Sequence, residues 1–247
     1  MNAPCLDMVD VHFSYPDGTP ALHGVSFSAM PGESVAIVGG NGAGKSTLLL
    51  HLNGYLRPTR GHIAIMGTIV RPENIPQVRR SVGLVFQHPD DQLFMPTVFE
   101  DVAFGPRQSK PSGQDISSDA EAALERVGMR HLKERPPYRL SAGEKRAVAI
   151  ATVLVTKPDI LVMDEPSSHL DPRSRRRLID LLKSLQQTQI IATHDLEMVV
   201  ELCTRVIVLD QGRVVADGPT REVLNDEKLM LAHGLERPHI LKHLHPH

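Results

Sequence analysis

The sequence is short of four things. It has only two cysteines in 247 residues, Cys5 and Cys203. Two cannot build a disulfide framework, so a reducing cytosol is the expected setting and both read as small buried hydrophobes. It has no excess of charge: 27 Lys and Arg stand against 29 Asp and Glu, for a formal net charge of −2. No overall basic field therefore points to nucleic acid. It has no long apolar run. The longest, in "AVAIATVLV", falls far short of the roughly 18 to 20 residues of a membrane helix, so the chain is expected to dock on a membrane protein at most. Finally, "MNAPCLDMVDVHF" breaks its apolar residues with Asp7 and Asp10, which is not the pattern of a secretory leader.

What remains is ordinary globular composition, 41% hydrophobic and 23% charged, enough for one large domain or two small ones. Val9, Val11, Phe13 and Tyr15 alternate with polar residues and predict a strand. "PDGTP" predicts a turn, "ALHGVSFSAM" a returning strand, and "PGESVAIVGG" a buried strand running into a glycine-rich loop. The helix "KSTLLLHLNGYL" follows, with Gly54 as terminator, and then the strand "GHIAIMGTIV". Residues 6–86 thus read as strand-rich with one helix. From about 88 to 155 strand signals fade and helices take over, in "SSDAEAALERVGM" and "AGEKRAVAIATVLVT". Strands resume at "DILVMDEP", "QIIATHD" and "RVIVLDQG". Between the first two lies "PRSRRRLIDLLKSL", whose Leu178, Ile179, Leu182 and Leu185 face the core while its arginines face water. The sum is an α/β nucleotide fold with a helical insertion.

The chemistry concentrates in a few short stretches. "GGNGAGKST" fits G-x-x-x-x-G-K-[ST] from Gly39 to Ser46, between a strand and a helix. Gly39, Gly42 and Gly44, with Gly40, Asn41 and Ala43 between them, let backbone wrap phosphate oxygens. Lys45 is placed for the β and γ phosphates, Ser46 for Mg²⁺, and Thr47 beside it on the helix start. The buried strand "ILVMDEP" presents Asp164, a Mg²⁺ ligand directly or through water, and Glu165, placed to orient or deprotonate an attacking water. Gln87 and His194 end two other strands, where a parallel sheet forms its ligand crevice. There an amide can bridge Mg²⁺, water and a mobile segment, and an imidazole can meet the γ-phosphate. "LSAGEKRAVAI" then sets Ser141 and Gly143 at the start of a helix, a second anion-binding turn in the same chain.

Taken in order, Tyr15, "GGNGAGKST", Gln87, "LSAGE", "LVMDEP", "SSHLD" and His194 resemble the ATP-binding cassette ATPases over about residues 6–220. The resemblance implies a P-loop (RecA-like) ATPase core with an antiparallel β subdomain and an inserted α-helical subdomain. It places the cassette over residues 1–236 and leaves a His-rich tail at 237–247. It implies ATP and Mg²⁺ as ligands, with Ser46, Gln87 and Asp164 around the metal, Glu165 and His194 in hydrolysis, and Tyr15 stacked on adenine. It also implies head-to-tail pairing of two cassettes, so that Ser141, Ala142, Gly143 and Glu144 of one chain close the site of the other and Asp171 links the two. That explains two phosphate turns in one chain. The family's usual signature is Leu-Ser-Gly-Gly-Gln. Ala142 and Glu144 depart from it, and Glu144 puts negative charge where phosphate should sit. Where the family often has Ala, this chain has His169, whose role stays open.

After Gln87, "HPDDQLFMPTVFEDVAFGP" resembles the ATPases of energy-coupling-factor and cobalt or nickel importers. Phe94, Met95 and Phe99 form either a groove for a membrane subunit's helix or a small local core. The implied protein sits peripherally on the cytoplasmic face of the cell membrane, bound to integral membrane subunits and a second ATPase subunit, a second copy being favoured. The expected cargo is cobalt or nickel. A vitamin importer, and a soluble cassette switch without transport, stay open as alternatives. A generic phosphate-loop kinase would need neither "LSAGE" nor His194. The tail carries His233, His239, His243, His245 and His247, but their irregular spacing and the lack of a carboxylate cluster favour a solvated chain end over a metal site.

Overall fold

The computed structural model describes residues 3–109 and 115–242. The chain opens with β1 (Leu6–Ser14) and β2 (Pro20–Ala29), then β3 (Ser34–Val38) and α1 (Lys45–Leu52). Next come β4 (Arg60–Ile65), β5 (Thr68–Ile69), α2 (Ile75–Ser81) and β6 (Val82–Val85). Three helices follow, α3 (Val98–Ser109), α4 (Ile116–Arg126) and α5 (Ala142–Leu154). The rest is β7 (Ile160–Asp164), α6 (Pro172–Ser184), β8 (Thr188–Ala192), α7 (Leu196–Leu202), β9 (Arg205–Asp210), β10 (Arg213–Pro219), α8 (Thr220–Asn225), α9 (Glu227–Ala232) and α10 (His239–Lys242).

Two sheets result. One is antiparallel, ordered β2-β1-β4-β5; the other is ordered β10-β9-β3-β8-β7-β6, and all its pairs are parallel except β10 with β9. β3, β7 and β8 are apolar runs because both their faces are covered: every residue of β8 is buried, as are four of five in β3 and in β7. One core lies between the sheets around α1, with Leu48, Ile37 and Ile63. A second lies across the other face of the parallel sheet, under α5 and α6. The parallel topology brings the carboxyl ends of β3, β8, β7 and β6 side by side, and every strand-end residue singled out above sits there.

Several expectations need correction. The alternation in β1 changes phase. Leu6 and Met8 are buried, then Val11 and Phe13, while Val9 is 37% exposed. A bulge with Asp10 at φ 47° shifts the register between Met8 and Val11, which a strict period of two cannot show. The stretch before residue 86 holds a second helix, α2, seven residues long, with Pro76 in its first turn where a missing N–H costs nothing. The C-terminal extension also packs. Leu241 is buried in the second core, the Ile240 N–H lies 3.3 Å from the Glu197 carboxylate on α7, and His233 Nδ1 lies 2.9 Å from Asp210. So Ile240 and Leu241 tie the start of the tail to the cassette. His243, His245 and His247 lie outside the described residues. Among the described residues no three His, Cys, Asp or Glu are grouped to hold a metal ion, and no helix is long and apolar enough to cross a membrane.

Candidate active site

The glycine loop joins β3 to α1. Gly44 caps α1 at φ 103°, and a Cβ there would lie 2.8 Å from the Ala21 carbonyl, so only glycine allows this turn against β2. Lys45 is almost fully buried and its Nζ donates to the carbonyls of Gly39 (2.8 Å) and Gly40 (3.0 Å), which holds the ammonium across the loop. Asn41 to Thr47, together with Tyr15, Gln87, Asp164 and Glu165, line one cavity of about 370 Å³. The structure therefore gathers Tyr15, the loop, the amide and both carboxylates into one place.

Tyr15 closes one side. Its ring packs edge-on against Phe13, and its hydroxyl lies 2.8 Å from Thr47 Oγ1. Thr47 thus anchors the aromatic wall to the start of α1. On the other side stands Asp164, beside Ser46. Burial raises the Asp164 carboxyl above its ordinary range and the neighbouring Glu165 adds to this, while Ser46, Lys45 and Arg146 oppose it. Its Oδ1 is buried with no hydrogen-bond partner. A buried carboxylate oxygen next to a serine hydroxyl, in a cavity with an amide, is a hard-oxygen donor set that fits Mg²⁺.

Glu165 follows directly, with φ 45°, a backbone region costly for a side chain of its size. Its N–H donates to the Ala192 carbonyl at 2.8 Å, which locks the turn to β8. Its Oε2 accepts from two groups on the segment after β8, Thr193 Oγ1 (3.1 Å) and the His194 N–H (3.3 Å), and His194 Nδ1 lies 2.7 Å from the same oxygen. His194 was expected to face phosphate. Its ring stands beside the glutamate, with 70% of the side chain exposed.

The second anion-binding turn is elsewhere. Ser141 caps α5 and Ala142 is its first residue, not among the residues with positive φ. Glu144 completes a capping box: its Oε2 accepts from the Ser141 N–H (2.8 Å) and Oγ (2.9 Å), and Ser141 Oγ accepts weakly from the Glu144 N–H (3.4 Å). Those bonds, the backbone one foremost, hold the Glu144 carboxyl below its ordinary range. Gly143 is required by packing as well as by any ligand, because a Cβ there would lie 2.5 Å from Ser174 Oγ at the start of α6. Ser141, Gly143 and Glu144 line a different cavity, of about 600 Å³, with Arg126, His131 and Arg177 around it. Asp171 caps α6, accepting from the N–H groups of Arg173 and Ser174 and from Ser174 Oγ.

Sequence reasoning missed Arg146. It lines the second cavity, yet its guanidinium donates to the carbonyls of Phe86 (2.8 Å) and Gln87 (2.7 Å), and more weakly to that of Glu165 (3.4 Å). Burial lowers its pKa to about 10. Within "GEKRAVAI" it reads as one more helix former. It missed Gln92 as well, which binds the Phe86 N–H through Oε1 and the Ala149 carbonyl and Thr152 Oγ1 through Nε2.

A glycine loop between strand and helix, facing two successive carboxylates at the end of a nearby parallel strand, defines a phosphate-loop nucleotide hydrolase. Residues 22–168 match the ABC transporter family. The chain belongs to that family; it is an ATP-binding subunit whose hydrolysis of ATP is coupled to transport. A Geobacter sulfurreducens protein named by class, as an ABC transporter ATP-binding protein, is 57% identical over 96% of each chain. The energy-coupling factor transporter ATP-binding protein EcfA of Carboxydothermus hydrogenoformans is 46% identical over 96% of this chain and 88% of its own. Among solved structures, CbiO1 of Clostridium perfringens, described as part of the ABC transporter complex cbiONQ, superposes with a TM-score of 0.83 at 40% identity, covering 97% of this chain and 98% of its own.

Proposed function

We propose that two copies of this chain pair head to tail, each closing the other's ATP site, and power import through separate integral membrane subunits at the cytoplasmic face of the membrane. The observation that carries this reading is the division of the site. The lysine, both carboxylates and the aromatic wall line one cavity, and the capped turn of Ser141 and Gly143 lines another, with no residue shared. One copy offers each ATP its catalytic groups but no second anion clamp; a partner's turn supplies it. An ATP-binding cassette 27% identical to this chain, with a TM-score of 0.78, was solved as a dimer with ADP and Pi, which supports pairing.

In this reading adenine stacks on Tyr15, and the N–H groups from Gly39 to Thr47 with Lys45 hold the phosphates. Ser46 and Asp164, with Gln87 at the edge, hold Mg²⁺, which when bound neutralises charge on the β and γ phosphates. Glu165 takes the proton of the attacking water. His194, donating from its backbone N–H with the ring beside the same oxygen, keeps the carboxylate turned toward that water. Asp171 and the turn of Ser141 to Glu144 meet the partner chain. With a net charge of −2 the chain has no overall basic field for nucleic acid, and none is proposed as a partner.

Docking to a membrane subunit is supported by the segment after Gln87. Asp101 is buried, and its Oδ1 accepts from the N–H groups of Phe94 and Met95, which turns Phe94 outward. Phe94 is 63% exposed and packs edge-on with Phe104 at 5.0 Å, forming an apolar knob on the surface. Met95 and Phe99 are half-buried, and Phe99 packs on the core. The cargo we infer is cobalt or nickel, from the resemblance carried by the segment after Gln87; a vitamin importer of the energy-coupling-factor type is the second reading, supported as a class by the likeness to EcfA. The test is to purify the chain with its membrane partners, place the complex in vesicles and measure ATP-driven uptake of Co²⁺, Ni²⁺ and labelled vitamins. Uptake of a metal that stops with Glu165→Gln is the expected result. Vitamin uptake alone would replace the cargo, and purification without any membrane subunit would overturn the importer.

A further inference from the structure

The arginine run of α6 contains one residue that does not face water as an amphipathic helix requires. Arg173 and Arg177 are exposed, and Arg176 pairs with Glu201 at the surface. Arg175 turns inward. Its Nε donates to Asp195 Oδ2 at 2.6 Å and its Nη2 to Oδ1 at 2.8 Å, with side-chain exposures of 25% and 17%. This is a two-pronged ion pair, the geometry that only arginine gives a carboxylate.

Asp195 has no spare freedom. Its Oδ1 also accepts from the Met198 N–H at 3.0 Å, capping α7, and its own N–H donates to Thr193 Oγ1 at 3.0 Å. That same hydroxyl donates to Glu165 Oε2. The turn of residues 193 to 195 therefore delivers two donors to one oxygen of Glu165 and sets the His194 ring beside it, and Arg175 clamps the turn from outside. The first turn of α6 is itself fixed. Pro172 opens it, Asp171 caps it, and Ser174, the neighbour of Arg175, lies flush against Gly143. One helical turn thus touches the Ser141–Gly143 segment on one side and grips the His194 turn on the other.

We propose that Arg175 is a positioning residue for hydrolysis: through Asp195 it holds Thr193 and His194 on Glu165. The inference rests on the proposed roles of Glu165 and His194. Arg175 touches neither nucleotide nor water; it acts by keeping the carboxylate aimed. Loss of that aim costs turnover, since a misplacement on the order of 1 Å costs about 10²-fold. Nucleotide binding, which lies with the glycine loop and Tyr15, stays intact.

The experiment measures kcat, KM for ATP and Tm for Arg175→Gln, Arg175→Lys, Asp195→Asn and the double variant Arg175→Gln/Asp195→Asn, in the purified protein with its membrane partners. Arg175→Gln should lower kcat about 10-fold or more with KM within about 2-fold. Arg175→Lys keeps the charge but loses the fork, and should recover only part of kcat at wild-type Tm. The double variant should be no worse than the worse single, because both break one contact. Unchanged kcat in Arg175→Gln, additive losses in the double variant, or wild-type kcat in Arg175→Lys would each overturn the inference. If Arg175→Gln does not fold, Arg175→Lys decides alone. Glu165→Gln is run alongside. Turnover retained there sinks the assignment of the site itself, whereas a dead Glu165→Gln with a normal Arg175→Gln sinks only the role of Arg175.

Discussion

The two phosphate-facing regions of this chain are built on opposite plans. Around the glycine loop, strand ends from both sheets converge, and the polar groups face one another across a cavity of about 370 Å³. Its energetics are unfavourable to the fold: Asp164 is a half-buried carboxyl with one buried, unpartnered oxygen, and Glu165 sits at φ 45°. Around Ser141 the plan is a well-formed helix start. The capping box satisfies its hydroxyl and backbone, and the larger cavity of about 600 Å³ is rimmed by arginines rather than catalytic carboxylates. One region carries strain and the other is relaxed. Half a site that is relaxed alone becomes useful only against a partner, which is the physical sense of the proposed pairing. Arg146 is the direct strut between them, lining one cavity while holding carbonyls of the other.

The sharpest way to separate the regions is to remove the chemistry from one. Glu165→Gln should keep ATP binding and lose hydrolysis by about 10²-fold or more, the scale of a lost general base. Turnover near wild type in a steady-state phosphate-release assay would erase the distinction. Next in size is complementation between regions. Ser141→Arg and Lys45→Ala chains should each be inactive, yet their mixture should regain activity, at most one whole site per mixed dimer. A mixture no more active than its components would show that the regions do not work across two chains.

A smaller effect tests the relaxed region. Glu144 holds the Ser141 hydroxyl and places negative charge where a partner's phosphate would approach. Glu144→Gln keeps an acceptor and removes the charge. ATP-driven association should tighten about 2- to 5-fold, as a charge worth about 0.3–1 kcal/mol at a helix start implies. Sedimentation with the Glu165→Gln background, at several ATP concentrations, reads this; unchanged association would make the capping box a purely local support.

The smallest expected effect is on stability. The Asp164 carboxyl titrates higher in the folded chain than unfolded, from burial first and Glu165 second. Its contribution favours the fold below the unfolded value, about 3.9, and is lost as pH rises through the folded value. At neutral pH the ionised group therefore destabilises the fold. Asp164→Asn should raise Tm by about 2–4 °C for each kcal/mol relieved, while abolishing hydrolysis. The gain should shrink as the pH is lowered. A lower Tm for the variant at pH 7 would mean that Asp164 supports the fold rather than straining it.

Much of the strained region was legible along the chain. The motif from Gly39 to Ser46, the run before Asp164 and the strand-end positions of Gln87 and His194 are local signals, and a parallel sheet gathers strand ends by topology alone. Alternation misplaced Val9, because the bulge at Asp10 arises from pairing with β2 and β4 rather than from the residues of β1. The short α2 and the Pro-containing α3 fell below what periodicity detects.

The sequence by itself determined that a phosphate loop, a carboxylate pair and a second anion-binding turn exist, since each depends on residues within a few positions of one another. Only the tertiary structure decided what each side chain touches. That Arg175 leaves its solvated stripe for Asp195, that Arg146 holds the carbonyls of Gln87 and Glu165, and that His194 turns to Glu165 are contacts between elements about 20 to 60 residues apart. Helical and strand periods record which face of an element is apolar. They carry no record of which polar group on another element will meet it, because that depends on how the layers pack.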